Sequence, residues 1–182
     1  MYKSDRGVAF VGIDPSAIHG KTSGGAIVVV TVRKETTKIE CICLKKNTEK
    51  DIVSLFKKSI RGKKCYAVLE KVHSFPGQGV SSTFKFGQGY GWLRCLLMAL
   101  DIPYEDTPPK KWQKWYAMSS EKGETRTHWK NRLKAKAQQH FPEIKVTLGN
   151  ADALLIAYYC MRTDGVSRSR DLKATLNGVK HI

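Results

Sequence analysis

The chain is poor in acids. Its 182 residues hold 16 Asp and Glu against 32 Lys and Arg, a formal charge of +16, and a surface of that sign attracts polyanions and repels basic proteins. It also lacks any apolar run near the ~20 residues of a spanning helix, and no basic amphipathic anchor stands out. Nucleic acid therefore stands ahead of a membrane as the polyanionic partner. The five cysteines, Cys41, Cys43, Cys65, Cys95 and Cys160, are odd in number and show no CxxC pair and no zinc-knuckle or zinc-ribbon spacing. They read as reduced core thiols: Cys41 and Cys43 alternate on an expected strand, and Cys95 lies among Leu93, Leu96 and Leu97. The compartment implied is intracellular and reducing, the cytoplasm of a bacterium or infected cell, or an organelle. The opening "MYKSDRGVAF" has no apolar h-region, so nothing points to secretion. Internal repeats and low-complexity blocks are absent.

What is present is the material of one globular domain. Apolar residues make up 41% of the chain and run from Val8 to Cys160, which allows a proper core. The expected domain spans residues 1–182, with a basic tail from about residue 163.

Val8 to Ile13, Ala26 to Arg33 and Lys38 to Leu44 read as three strands, the first two rich in β-branched residues and the third alternating. Connections this short make an antiparallel meander, because parallel neighbours need a crossover of a dozen or more residues. Thr48 and Asp51 resemble a capping box, and Ile52, Leu55, Phe56 and Ile60 recur at helical spacing up to Gly62. "CYAVLE", Cys65 to Glu70, is a fourth strand, followed by a loop with Pro76, Gly77 and Gly79. Ser81 or Ser82 is the expected cap of a long helix with Phe86, Leu93, Leu97 and Leu100 on its apolar face. A fifth strand fits Pro103 to Thr107, and the basic segments "PPKKWQKWYA" and "THWKNRLKAKAQQHF" follow. A last apolar helix runs from about Asn150 to Arg162.

Three acids abut these apolar elements. Asp14 ends the first strand in "VGIDPS", Glu70 ends the fourth, and Asp152 lies in the first turn of the final helix. If the first and fourth strands lie side by side in parallel, both deliver their ends to the edge where ligands of α/β sheets sit. Three converging carboxylates repel one another unless a cation lies among them, and hard oxygen donors suit Mg²⁺ or Mn²⁺. Two such ions about 4 Å apart activate water on one side of a phosphodiester and stabilise the leaving oxygen on the other. Each acid alone also has an ordinary use: Asp14 as a turn initiator before Pro15, Glu70 as a partner of Lys71, Asp152 as a complement to the helix dipole.

"GIDPS", "VLEKVHS", "SSTFKFGQGYGWL", "TPPKKWQKWY" and "ADALLIAYY" occur in the order and spacing of the RuvC family of Holliday junction resolvases, within the RNase H-like superfamily. The likeness covers about Val8 to Tyr159, and it looks closest to the organellar and phage-like branch that includes a plant chloroplast resolvase. The resemblance implies an α/β RNase H-like fold whose five-stranded mixed sheet has the order 3-2-1-4-5, flanked by helices. It implies a homodimer that nicks four-way DNA junctions, each subunit cutting one strand with Mg²⁺ or Mn²⁺, two ions per site. Asp14, Glu70 and Asp152 take the places of the metal ligands, and Lys130 that of a lysine directed at the scissile phosphate. Where relatives carry a histidine or aspartate three or four residues ahead of the last ligand, this chain has Gly149 and Leu148. Asn150 or Thr147 is left as a source of a neutral oxygen.

DNA contacts are expected beyond the acids. His73 follows Glu70 by three residues, and Phe75 sits where the family inserts side chains at the junction centre, an aromatic able to stack on an unpaired base. Gln78, between Gly77 and Gly79, lies in the same loop. Lys85, Lys110, Lys111, Lys114, Arg132 and Lys134 offer phosphate contacts that position duplex arms without reading sequence. Trp112 and Trp115, among these lysines, are expected to pack on the core. The same residues serve equally as loop anchors and solvated helix faces. Two other functions stay open: a nuclease for flaps, forks and other branched DNA, and a non-catalytic module that binds branched nucleic acid.

Overall fold

A computed structural model describes residues 7–15, 24–34, 36–74 and 77–167, the last four of these by backbone only. Strands β1 (Val8–Asp14) and β2 (Ala26–Val32) are buried almost throughout. Their near-continuous Val and Ile content suits strands covered by helices on both faces. β2 pairs antiparallel with β1, Asp14 opposite Ala26, and with β3 (Thr37–Cys43) on its other side. β4 (Lys64–Glu70) runs parallel to β1, Ile13 opposite Leu69, and β5 (Tyr104–Thr107) runs parallel to β4. The result is one five-stranded mixed sheet of order β3-β2-β1-β4-β5, as the resemblance implies.

Helix α1 (Glu49–Ile60) starts with a complete capping box: Asp51 N–H donates to Thr48 Oγ1, and Thr48 N–H to the Asp51 carboxylate. It is terminated by Gly62 at φ +69°, the left-handed position at which glycine carries no Cβ penalty. Helix α2 (Val80–Ala99) has Gly79 as its N-cap, ahead of the expected serines, and no side chain caps it. α3 (Pro109–Trp115) opens on proline, whose fixed φ suits a first helical turn. Thr125 Oγ1 caps α4 (Arg126–His140) by accepting from His128 N–H. α5 (Ala151–Ser167) runs five residues past its expected end; a helix anchored by a buried face propagates through Gly165 at a cost of about 1 kcal/mol. The tail after residue 167 lies outside the described residues.

Strand periodicity sorts the core into two layers. Val11 and Ile13 of β1, with Ala67 and Leu69 of β4, face α1 and α2 among Ile52, Phe56, Leu93 and Leu97. Phe10 and Val68 face the other way, toward Trp112, Leu133 and α5. Side chains alternate along a strand, so Asp14 and Glu70 belong to this second face. Gly12 shares it, and there α5 comes closest: a Cβ on Gly12 would stand 2.1 Å from Ala157 N and 2.3 Å from Ala153 O. Backbone rests on backbone, a contact only glycine permits.

The thiols correct one expectation. Cys160 alone is fully buried; Cys41 and Cys95 are exposed, and Cys43 and Cys65 half-buried. β3 is an edge strand that buries Ile42, turning Cys41 outward, and Cys95 lies one helical step off the stripe Leu93, Leu96, Leu97. Among the described residues no helix is long and apolar enough to cross a membrane.

Candidate active site

Asp14, Glu70 and Asp152 meet at the carboxyl end of β1 and β4. The parallel register sets the ends of the two strands side by side, and α5, pressed on β1 at Gly12, brings in Asp152 one residue after its start. All three are buried, at 8%, 9% and 3% exposure, a costly position for carboxylates without partners. Burial first, then the charges of Asp152 and Glu70, hold the Asp14 carboxyl well above the usual range. Burial, followed by the charge of Asp152, pushes Glu70 up to about 7, against the opposing effects of Trp112 and Lys130. Asp14 and Glu70 share a side-chain hydrogen bond, which raises the former and lowers the latter.

Lys130 supplies the local positive charge. Leu133, three residues on, is buried in the layer shared with α5, and residues three apart share a helix face. The ammonium thereby reaches Asp152 Oδ2, with which it forms a hydrogen-bonded ion pair. Burial works against its charge, but Asp152 and Asp14 outweigh that and raise its pKa. The other oxygen, Asp152 Oδ1, is buried with no hydrogen-bond partner in the described structure. A buried, unsatisfied carboxylate oxygen is expensive, and a hard cation is the partner that chemistry would supply.

The third party at the site was not assigned there from sequence. Trp112, fully buried, donates its indole N–H to Glu70 Oε1 at 3.0 Å. The expectation that Trp112 packs on the core holds; its hydrogen bond to an acid was missed. The available signal was a tryptophan early in a proline-started helix directly after β5, the strand that pairs Thr107 with Glu70. Trp115 is 42% exposed and makes edge contacts with Tyr116, Tyr158 and Tyr159.

The oxygen donors fit a divalent ion in kind: three carboxylates from three elements, one with an unpartnered oxygen. As they stand, with Lys130 on Asp152, no three His, Cys, Asp or Glu side chains among the described residues form a ready-made cage. At the positions where the resemblance implies a further ligand, Leu148 is half exposed. Gly149 packs against Gly24, where a Cβ on Gly24 would lie 2.9 Å from the Gly149 Cα. Asn150 Oδ1 accepts from Thr147 N–H at 2.7 Å, and its Nδ2 donates to Lys145 O, so this amide is engaged in ordering the turn before α5.

The expected DNA contacts fall into three groups. His73 and Gln78 are exposed near the carboxyl end of β4, while Phe75 lies outside the described residues. Lys85 on α2 and Lys110 and Lys114 on α3 are exposed, and Lys134 on α4 is half-buried. Lys111 is paired with Glu105. Arg132 is held by Glu121 and Glu124, at 3.3 and 3.1 Å, with its guanidinium over the Trp129 ring, which gives it a structural use.

Comparison with protein-family sequence profiles finds no match, and comparison with curated protein sequences finds none either. Comparison of folds does. The chain is similar to RuvC of Thermus thermophilus in complex with a Holliday junction substrate, with a TM-score of 0.56 and 14% identity over 96% of this chain and 100% of that one. It is also similar to a second structure of Thermus thermophilus RuvC, with a TM-score of 0.50, 15% identity and the same coverage. At such identity the likeness speaks for the fold: the sheet and its flanking helices are RNase H-like, of the RuvC type.

Proposed function

We propose that this chain is a divalent-metal-dependent endonuclease for branched DNA, with the four-way junction as its preferred substrate. The observation that carries the reading is the gathering of Asp14, Glu70 and Asp152 with Lys130 at one sheet end, in a protein of charge +16. Asp14, Glu70 and Asp152 would hold Mg²⁺ or Mn²⁺. A divalent ion bound there supplies Lewis acidity and a water nucleophile at neutral pH. The chain's own residues do the rest. Burial of the acids removes competing water and strengthens their pull on a cation. Lys130, whose ammonium lies on Asp152 Oδ2, would be the positive group of the site able to meet a phosphate oxygen. The exposed lysines of α2 and α3 position duplex arms.

The fold neighbour bound to a Holliday junction supports a branched substrate, as do the ordered motifs from Val8 to Tyr159. The narrower placement in the organellar and phage-like branch rests on those motifs. A two-fold dimer matches a two-fold junction. The surface that suits a second copy is the outer side of α2, where Val80, Phe84 and Met98 are 86%, 65% and 61% exposed and the positions of Gly87 and Gly91 look onto open space.

The test is cleavage of an end-labelled four-way junction beside a plain duplex, with and without Mg²⁺ or Mn²⁺. Metal-dependent nicking of the junction is expected; equal cutting of both, or none in saturating Mn²⁺, would defeat the proposal. Flaps and forks in the same panel decide the breadth of the substrate class. The absence of a fourth acid or histidine at Leu148 and Gly149 favours one rival, a binding module without catalysis, which would retain the junction and never nick it.

A further inference from the structure

We infer that Trp112 is a positioning residue for Glu70: its indole N–H fixes one carboxylate oxygen and thereby orients the carboxylate toward the cation. The inference rests on the endonuclease reading above and deepens it. A buried indole needs a partner for its N–H, and Trp112, at 0% exposure, uses Glu70 Oε1 at 3.0 Å. The geometry follows from the chain path. Thr107 of β5 is the register partner of Glu70, Lys71 N–H donates to Thr107 O at 2.8 Å, and α3 begins two residues later at Pro109. Position 112 thus returns over the end of β4.

The ring has support on its far side as well. It meets Tyr116 edge-on, centroids 6.4 Å apart at 82°, and the Tyr116 hydroxyl donates to Leu155 O at 2.6 Å on α5, the helix that carries Asp152. Glu70 is therefore tied through two aromatic rings to the element bearing its fellow acid. A purely apolar side chain would fill the same volume and leave Glu70 Oε1 without its donor, the carboxylate then held from the Asp14 side alone.

The experiment separates shape from hydrogen bonding. Replacing Trp112 with β-(3-benzothienyl)alanine keeps the bicyclic ring and removes the N–H; Trp112→Phe serves as the genetically encoded companion. Mn²⁺ affinity is measured by calorimetry without DNA, and kcat and KM are measured on the junction. Loss of a partner that orients a metal ligand typically lowers metal affinity or activity about 10- to 100-fold. We expect the isostere to lose Mn²⁺ affinity and kcat in that range, with KM for DNA changed less than about twofold, since ground-state DNA binding is untouched. Unchanged Mn²⁺ affinity and kcat in a folded isostere would reduce Trp112 to core packing while leaving the endonuclease reading intact. A wild-type protein that neither binds Mn²⁺ nor nicks would overturn both.

Discussion

The two ends of the central sheet treat charge in opposite ways. At the carboxyl ends of β1 and β4, three acids are sealed into the protein, at most 9% exposed. At the other end, about 20 Å away along the strands, Lys57, Lys58, Arg61, Lys63 and Lys64 ring an open groove of about 750 Å³ floored by Ile60, Leu100 and Ile102. The acids are the more informative feature. Lys57, Lys58, Arg61 and Lys64 are exposed, keep their water and cost the fold little, and the half-buried Lys63 has exchanged water for Thr31 Oγ1 and Ser59 O, so their presence demands no ligand. Buried carboxylates have given up water, and Asp152 Oδ1 has found nothing in exchange. Chemistry resides where desolvation is left uncompensated.

The contrast can be broken most directly at the acidic end. Asp14→Asn and Asp152→Asn should each lower junction nicking by at least about 10³-fold, a transition-state electrostatic loss, while gel-shift affinity for the junction in Ca²⁺ or EDTA is retained. Residual cleavage near wild type would show that the acids are only structural. Next in size is Gly12→Ala, whose Cβ would meet α5 backbone at 2.1 Å. Overpacking against backbone should cost about 1–3 kcal/mol or more, read as a lower thermal midpoint together with misplacement of Asp152 and lost activity.

A smaller effect is expected from pH. Glu70 stands near 7 in the fold against an ordinary 4.5, and Asp14 is raised too. Between those values the folded state holds protons that the unfolded state has released, so metal-free stability falls as pH rises from about 4.5 through about 7. Thermal melts at pH 5 and pH 8 in EDTA check the sign, and Mn²⁺ should raise the midpoint more at the higher pH. A midpoint that climbs with pH would contradict the buried-acid account. The least effect belongs to the far end: Lys57→Gln, Lys58→Gln and Lys64→Gln together should leave nicking of a short-armed junction unchanged, each altering stability by within about 0.5 kcal/mol.

Legibility in the sequence follows the range of the forces involved. The capping box of Thr48 and Asp51 and the meander of β1 to β3 were readable because both are decided within a few residues. The three acids were singled out because each ends or begins an apolar element, and the structure brings them together. Their companion was not readable as such: Trp112 reaches Glu70 across 42 residues of sequence, and nothing local distinguishes an indole that donates to an acid from one that fills space. Arg132 is the reverse case. Its place in a basic run suggested phosphate, yet Glu121 and Glu124, which belong to the preceding turn, hold it. The expected burial of Cys41 and Cys43 was misread for a geometric reason, since alternation on an edge strand gives a period without saying which phase is buried.

The missing side chain at position 12 has a last consequence. Because main chain meets main chain there, the distance between the acid two residues on and the acid at the head of α5 is gauged by the peptide skeleton itself, a ruler that side-chain drift elsewhere in the core leaves unaltered. Substitutions in the core away from Trp112 and Lys130 leave that spacing as it is, and a methyl group at this one position would reset it.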